Sequence, residues 1–272
     1  MAVTFNDHVQ ETLCIPLWCR GKAGDRFPEI LIDKQAGQII ENMEYDFSSI
    51  EKEYEEYGQI CCLVRAKLID DAVHSFLVQH PDAVIVNIGA GLDTTFSRVD
   101  NGSLTWFDLD LPEVITLRET LIPSQSQRCT NIAADVLETS WFERISSPEG
   151  CRFFCIAGGL FHYFPESEVK MLILKMAERF PQGRIVFDTV SKTALKIANK
   201  KINKSGNFGV KMLSSLNRNS VESWSDKIEI EEYTTFFRNI PRNSRWRFST
   251  RMNMNIVDTF KMLRWIQLCF RR

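Results

Sequence analysis

The hydrophobic positions of this chain change rhythm near residue 81. Before it they recur every three or four residues. IDKQAGQIIENM (32–43) predicts one helix, and QICCLVRAKLIDDAVHSFLVQH (59–80) predicts a longer one that stops at Pro81. In the longer helix Ile69, Ala72, Val73, Phe76 and Leu77 make an apolar stripe. Arg65 falls on that stripe, where a guanidinium either meets an anionic partner or snorkels to water. From residue 83 short apolar runs alternate with helical periods. Strands are predicted at AVIVNI (83–88), SLTWFDL (103–109), CTNIAAD (129–135), CRFFCIAGG (151–159) and RIVFDTV (184–190). A short helix follows the first of them. Pro112 opens a helix with Val114, Leu117 and Leu121 on one face, and Pro165 opens another with Val169, Leu172, Ile173, Met176 and Phe180. Strand and helix in alternation predict an α/β fold, a doubly wound, mostly parallel sheet covered by helices.

The last third is less regular. Residues 192–204 carry many lysines and predict a surface helix, KIEIEEYTTFF (227–237) contains a short strand, and MLRWIQLCF (262–270) reads as a last, buried strand. The run FRNIPRNSRWRFSTR (237–251) reads as a solvated surface segment, with a face for an acidic substrate as its alternative. Composition mainly removes options. A net charge of −2 gives no global field for nucleic acid or an anionic membrane. No run approaches the roughly 18 apolar residues of a membrane span. The N-terminus lacks the basic-then-apolar order of a secretory signal. The eight cysteines include no Cys-x-x-Cys pair and histidines number four, so no metal site is expected. The expectation is a cytoplasmic protein with reduced thiols and no nucleic-acid, membrane or obligate protein partner.

One stretch concentrates the candidate chemistry: VIVNIGAGLDTTFSR (84–98), where a buried strand runs into Gly89-Ala90-Gly91. A P-loop would continue with Gly-Lys-Ser/Thr, and this chain continues Leu92-Asp93-Thr94. The dinucleotide fingerprint would place a third glycine where Thr94 stands, and Asp93 would put negative charge where a pyrophosphate rests. An adenosine-bearing cofactor without phosphates tolerates both. It needs close backbone approach, which the glycines allow, and a strand-end acid for its ribose hydroxyls. Asp110 follows Gly91 by about twenty residues and ends the second strand, with Asp108 as the neighbouring candidate. Asp135 ends the third strand, where it can accept a hydrogen bond from an adenine amino group. Each acid also has a plainer reading, a helix N-cap for Asp93 and Asp110 and a turn residue for Asp135.

Three strand-end acids in order behind a GAG turn resemble the pattern of class I S-adenosylmethionine-dependent methyltransferases. The resemblance extends to the family of leucine carboxyl methyltransferases and tetracenomycin-type polyketide O-methyltransferases. It is carried by ETLCIPLWCRGKA (11–23), Arg65 before LIDDAV, VNIGAGLDTTFSR (86–98), WFDLDLPEVI (106–115), IAAD (132–135), IAGGLFHYFPESEV (156–169) and FPQGRIVFD (180–188). It implies a Rossmann-like methyltransferase domain over residues 81–272, an N-terminal helical lid over 1–80, and S-adenosyl-L-methionine as cofactor. Basic residues of the lid hold the methionine carboxylate in that family, which implies a role for Arg65 and for Arg20 or Lys22. It further implies cofactor contacts from Gly89, Ala90, Gly91, Leu111, Ala157 and Gly158, ribose binding by Asp110, and Asp135 with Val136 flanking the adenine. One position departs. Leucine carboxyl methyltransferases carry an acidic residue after the fourth strand where this chain has Gly158, which favours the small-molecule branch.

The implied function is an O-methyltransferase acting on a hydroxyl or carboxylate of a small molecule, polyketide-type or similar. The alternatives are a carboxyl methyltransferase of a protein C-terminus, a non-enzymatic binding protein on the same scaffold, and an NAD-dependent oxidoreductase, which Thr94 and Asp93 disfavour. Methyl transfer from a sulfonium is an in-line displacement, so the enzyme chiefly aligns the reactants and excludes water. A carboxylate acceptor needs no base, whereas a phenol or alcohol gains from one. His162, just past the fourth strand, is the candidate base, with a structural histidine beside aromatics as the alternative. Tyr163 is the second candidate catalytic-site residue, as one that lines the acceptor site. Trp18, Phe27, Tyr45 and Phe47 either shape an acceptor pocket or pack the helical layer.

Overall fold

The change of rhythm at Pro81 is a change of layer. In the computed structural model, which describes residues 8–122, 126–146, 150–205 and 211–271, five helices precede it. They are α1 (His8–Gly21), α2 (Ala23–Arg26), α3 (Lys34–Asn42), α4 (Ser48–Glu53) and α5 (Glu56–Gln79). Then come β1 (Val84–Ile88), α6 (Thr95–Val99), β2 (Thr105–Asp110), α7 (Pro112–Leu121), β3 (Cys129–Ala133) and β4 (Phe153–Ala157). The chain continues through α8 (Glu166–Arg179), β5 (Arg184–Val190), α9 (Lys192–Ser205), α10 (Arg218–Glu222), β6 (Ile228–Thr235), α11 (Phe248–Thr259) and β7 (Leu263–Phe270). The N-terminal residues read above for a secretory pattern lie, up to residue 7, outside the described residues.

Among the described residues seven strands form one sheet in the order β3-β2-β1-β4-β5-β7-β6. The first five are parallel, while β7 runs antiparallel between β5 and β6. Helices cover both faces, so the central strands read as nearly continuous apolar runs. β1 is buried at all five positions, Asn87 included. One face packs Val84, Val86, Phe107 and Phe187 against Val169, Ile173 and Met176 of α8. The other packs Ile85, Trp106 and Phe154 against Ile69, Val73 and Phe76 of α5 and Phe96 of α6. The apolar stripe of the long helix is therefore the surface that seats it on the sheet. Among the described residues no helix is long and apolar enough to cross a membrane.

Two features of the fold escape the hydrophobic pattern. Helix α1 carries Pro16 in its interior, which normally breaks a helical period. The arginine-rich run after residue 237 exposes Arg238, Arg245 and Arg247 as expected of a surface segment, but it is anchored from within. Phe237, Ile240 and Trp246 are buried and complete the core of the N-terminal helices with Trp18, Phe27 and Ile60. The Trp246 indole donates to Glu29, and its ring meets Phe27 edge-on. Arg242 ties the segment down through the carbonyls of Phe237 and Ile240 and the Asp258 carboxylate. The arginines hide a few apolar anchors that are too widely spaced to read as an element.

Candidate active site

The parallel strands all end on one edge, and the glycine turn lies in the middle of it. Gly89 and Gly91 both have positive φ, +67° and +49°, a backbone state that side-chain-bearing residues avoid. A Cβ at Gly89 would also stand 2.8 Å from Leu160 Cδ1. The Gly91 N–H donates to Asp110 Oδ2 at 2.7 Å, and the Leu111 N–H donates to Oδ1 at 2.8 Å. Asp110 thereby fixes the turn against the end of β2 while staying half-exposed. Burial raises its carboxyl, and the two N–H groups act against that shift. Asp108, two residues earlier on β2, is wholly buried and bound by Arg118 at 2.6 Å. Depth separates the two acids.

Beneath the turn lies a network of buried charges. Arg20 of α1 reaches Asp33 at 3.3 Å, donates to the Leu92 carbonyl at 2.7 Å, and stands 3.9 Å from Asp93. Arg98 of α6 grips Asp70 of α5 with two hydrogen bonds and also reaches Asp33. The N-cap of α6 is Thr94 rather than Asp93, which stands one residue earlier and accepts the Thr95 N–H in a turn at the helix start. Burial raises the Asp93 carboxyl, but Arg20 and Arg98, helped by Thr95 and Arg118, outweigh burial and hold it below the ordinary value. The network bolts the N-terminal helices to the turn. Lys22 precedes α2, half-buried, and among the described residues its ammonium makes no hydrogen bond or ion pair.

At the end of β3, Asp135 accepts the Leu137 N–H at 2.9 Å, and the Val136 carbonyl accepts the Trp141 indole. Ala157 ends β4 and Gly158 follows it. The structure thus brings Gly89–Gly91, Asp110–Leu111, Asp135–Val136 and Ala157–Gly158 along one edge of four adjacent strands. The aromatics Trp18 and Phe27 are core residues, while Tyr45 and Phe47 pair edge-on near the surface.

Arg65 closes the opposite end of this edge. Its guanidinium lies over Gly159 and its aliphatic stem over Gly158, where a Cβ would meet Ile69 Cδ1 at 2.7 Å. A side chain at that position would have to displace the Ile69 terminal methyl and pass beside the Arg65 stem. The partner of Arg65 is Asp188 of β5, which accepts from Nε at 3.1 Å and from Nη2 at 2.9 Å. Sequence reasoning missed Asp188. The available signal was an acid inside the apolar run RIVFDTV, which must meet a cation if buried.

His162 and Tyr163 form a 3-10 turn after β4, with rings 4.4 Å apart. His162 is buried, and its Nδ1 has no hydrogen-bond partner. Its backbone carbonyl accepts the Leu213 N–H. Burial pushes the imidazole down to about 4, so it is neutral and weakly basic at pH 7. Burial also raises the Tyr163 phenol, which keeps its proton.

A sheet of this order, with a glycine turn and strand-end acids on one edge, defines a class I, Rossmann-like methyltransferase fold. The profile of the leucine carboxyl methyltransferase family matches residues 19–177, more than half of the chain, and the chain belongs to that family. Its cofactor is S-adenosyl-L-methionine. The chain is 29% identical over 191 residues to the tetracenomycin polyketide synthesis O-methyltransferase TcmP of Streptomyces glaucescens, covering 70% of this chain and 69% of that protein. It is 26% identical over 213 residues to the S-adenosyl-L-methionine-dependent methyltransferase dpfgK of Gibberella zeae, covering 72% and 70%. A candidate methyltransferase from Thermobifida fusca superposes with TM-score 0.61, covering 83% of this chain and 87% of that one. A DUF574 family protein from Streptomyces avermitilis gives 0.59, covering 94% and 97%. Both are 10% identical to this chain, a likeness of fold alone.

Proposed function

We propose that this methyltransferase acts on an oxygen of a small molecule, with the residues of the strand edge holding the cofactor. The residues present fit that cofactor. The glycine turn admits close backbone approach, and Asp110 keeps lone pairs free for two ribose hydroxyls beside the N–H groups it already accepts. The observation that carries the assignment is Arg65, a partly exposed side chain whose Nη1 makes no hydrogen bond among the described residues and lies beside Gly159 just past β4. We assign it to the methionine carboxylate. We assign Asp135 and Val136 to the adenine, and Leu111, Ala90, Ala157 and Gly158 to the walls between. Arg20 is buried and donates through Nε and Nη2 to Asp33 and the Leu92 carbonyl, with Nη1 3.9 Å from Asp93, which supports a tie between elements as its first role.

The cofactor supplies a methyl group already activated by a positive sulfur. The protein's part is alignment and exclusion of water. His162, buried and neutral, is a poor acceptor for a phenolic proton, and protonated Tyr163 cannot take one. That chemistry favours a carboxylate acceptor, which needs no proton removed. The small-molecule assignment is supported by the likeness to TcmP, an O-methyltransferase of polyketide synthesis, and by Gly158. A protein C-terminus is the second candidate, supported by the family profile.

The test is methyl transfer from tritiated S-adenosylmethionine to a panel of aromatic carboxylic acids, phenols and C-terminal peptides. Base-labile incorporation into the small acids is the expected outcome. Transfer only to peptides would overturn the small-molecule assignment, and base-stable incorporation into phenols would overturn the carboxylate. Binding of NADH in place of S-adenosylhomocysteine would overturn the cofactor roles given to these residues.

A further inference from the structure

A guanidinium has two forks, Nε with Nη2 and Nη1 with Nη2, and each matches one carboxylate. In Arg65 the first fork is taken: both Nε and Nη2 donate to Asp188 Oδ2. The second fork has no protein partner among the described residues, and the side chain keeps 29% of its surface open. The other oxygen of Asp188 is also committed, accepting the Gly159 N–H at 2.6 Å. One carboxylate therefore joins three elements: the long helix α5 that carries Arg65, the turn after β4, and its own strand β5. Its side chain is almost fully buried, at 5% exposure, so solvent does not compete for these bonds.

From this geometry we infer that Asp188 is a positioning residue for the cofactor: it fixes Arg65 by one fork so that the other is presented to the methionine carboxylate. The proposal rests on the assignment of Arg65 to that carboxylate given above. Two neighbouring glycines make room for the arrangement. At Gly158 a Cβ would meet Ile69, and at Gly159 it would stand 3.0 Å from Arg65 Nη1, the nitrogen of the open fork. A side chain at either position would crowd the guanidinium or the helix that carries it. Without Asp188 the long Arg65 side chain would have no anchor beyond its stem, and ligand binding would bear the cost of ordering its rotamers.

Asp188 has two other conceivable roles, and the structure disfavours both. As a base it would need a free oxygen and a raised pKa. Both oxygens are engaged, and although burial raises the carboxyl, Arg65, His162 and the Gly159 N–H outweigh it and hold it below the ordinary value. As a mere neutraliser of Arg65 it would weaken the arginine's attraction for a second carboxylate. That role carries the opposite sign. Removing a negative charge a few ångströms from an incoming anion strengthens binding if Arg65 keeps its place, and weakens binding if Arg65 loses it.

The sign is the test. Calorimetric titration of the purified full chain compares S-adenosylhomocysteine, which has the carboxylate, with methylthioadenosine, which has the adenosine and sulfur but no amino-acid end. For Asp188→Asn the expected result is a loss of at least about ten-fold in S-adenosylhomocysteine affinity, the scale of a hydrogen bond to a charged group, with methylthioadenosine held within about two-fold. Unchanged or tighter S-adenosylhomocysteine binding would overturn the proposal. Arg65→Lys leaves the Asp188 charge paired and serves if the asparagine variant does not fold. A lysine offers a point charge without forks, so the same selective loss is expected, and wild-type affinity would overturn the proposal. If the wild-type chain bound neither ligand, the failure would lie with the cofactor assignment and not with Asp188.

Discussion

Arg20 and Arg65 leave the same helical layer and meet the same edge of the sheet, yet their guanidiniums do opposite things. Arg20 is buried, hydrogen-bonded to Asp33 and the Leu92 carbonyl and ion-paired at 3.9 Å with Asp93. Arg65 is held on one side by Asp188 and left open on the other. A buried cation surrounded by two carboxylates and a carbonyl is a tie between elements. A cation half held and half open is arranged for something that arrives. The same contrast runs through the acids: Asp108 is locked under Arg118, while Asp110 holds the turn and still faces outward. The turn region is thus a finished structure, and the corner at β4 and β5 is an incomplete one.

The largest effect should come from breaking the finished side. Arg20→Ala leaves Asp33 and Asp93 short of a partner in a buried network, and urea unfolding should show a loss of about 3 kcal/mol or more. A loss under about 1 kcal/mol would mean the network is not structural. The ratio of S-adenosylhomocysteine to methylthioadenosine affinity should stay at its wild-type value in any fraction that folds.

His162 sharpens the comparison from the open corner. Its folded pKa is pushed down to about 4 by burial, against about 6.5 when unfolded, so the unfolded chain binds the proton first. Stability contributed by this group is full above about pH 6.5 and falls as pH drops toward 4. Between pH 7 and 5 the wild type should lose about 2 kcal/mol more than His162→Gln, measured by urea unfolding at each pH. Asp93 and Asp188, held below their ordinary values, lose their contribution only under about pH 4 and leave this window alone. Equal losses in both proteins would show that the imidazole is hydrated.

Asp110→Ala should have the smallest effect of these three, weakening S-adenosylhomocysteine and methylthioadenosine alike by at least about 1 kcal/mol. A loss confined to S-adenosylhomocysteine would remove Asp110 from the ribose.

Much of this was legible in the chain. Buried parallel strands announce themselves as short apolar runs, and RIVFDTV coincides with β5 from end to end. Arg65 was visible as a charge on an apolar stripe, which demands a partner. The partner was not, because Asp188 sits within a strand and meets Arg65 only across the fold, 123 residues away. Nor could the sequence separate Arg20 from Arg65, since the difference lies in which donors are already taken. The anchors at Phe237, Ile240 and Trp246 were masked by the arginines around them, and α1 by its internal proline. Local pattern carried the elements, and long-range pairing carried the site.

The contrast between the two arginines turns on one measurement, the ratio of S-adenosylhomocysteine to methylthioadenosine affinity in Arg65→Ala, determined calorimetrically beside the wild type. The ratio should fall by at least about ten-fold, with methylthioadenosine binding nearly unchanged, because only one ligand carries the carboxylate. Equal weakening of both ligands, or of neither, would contradict the assignment of the open fork to the cofactor.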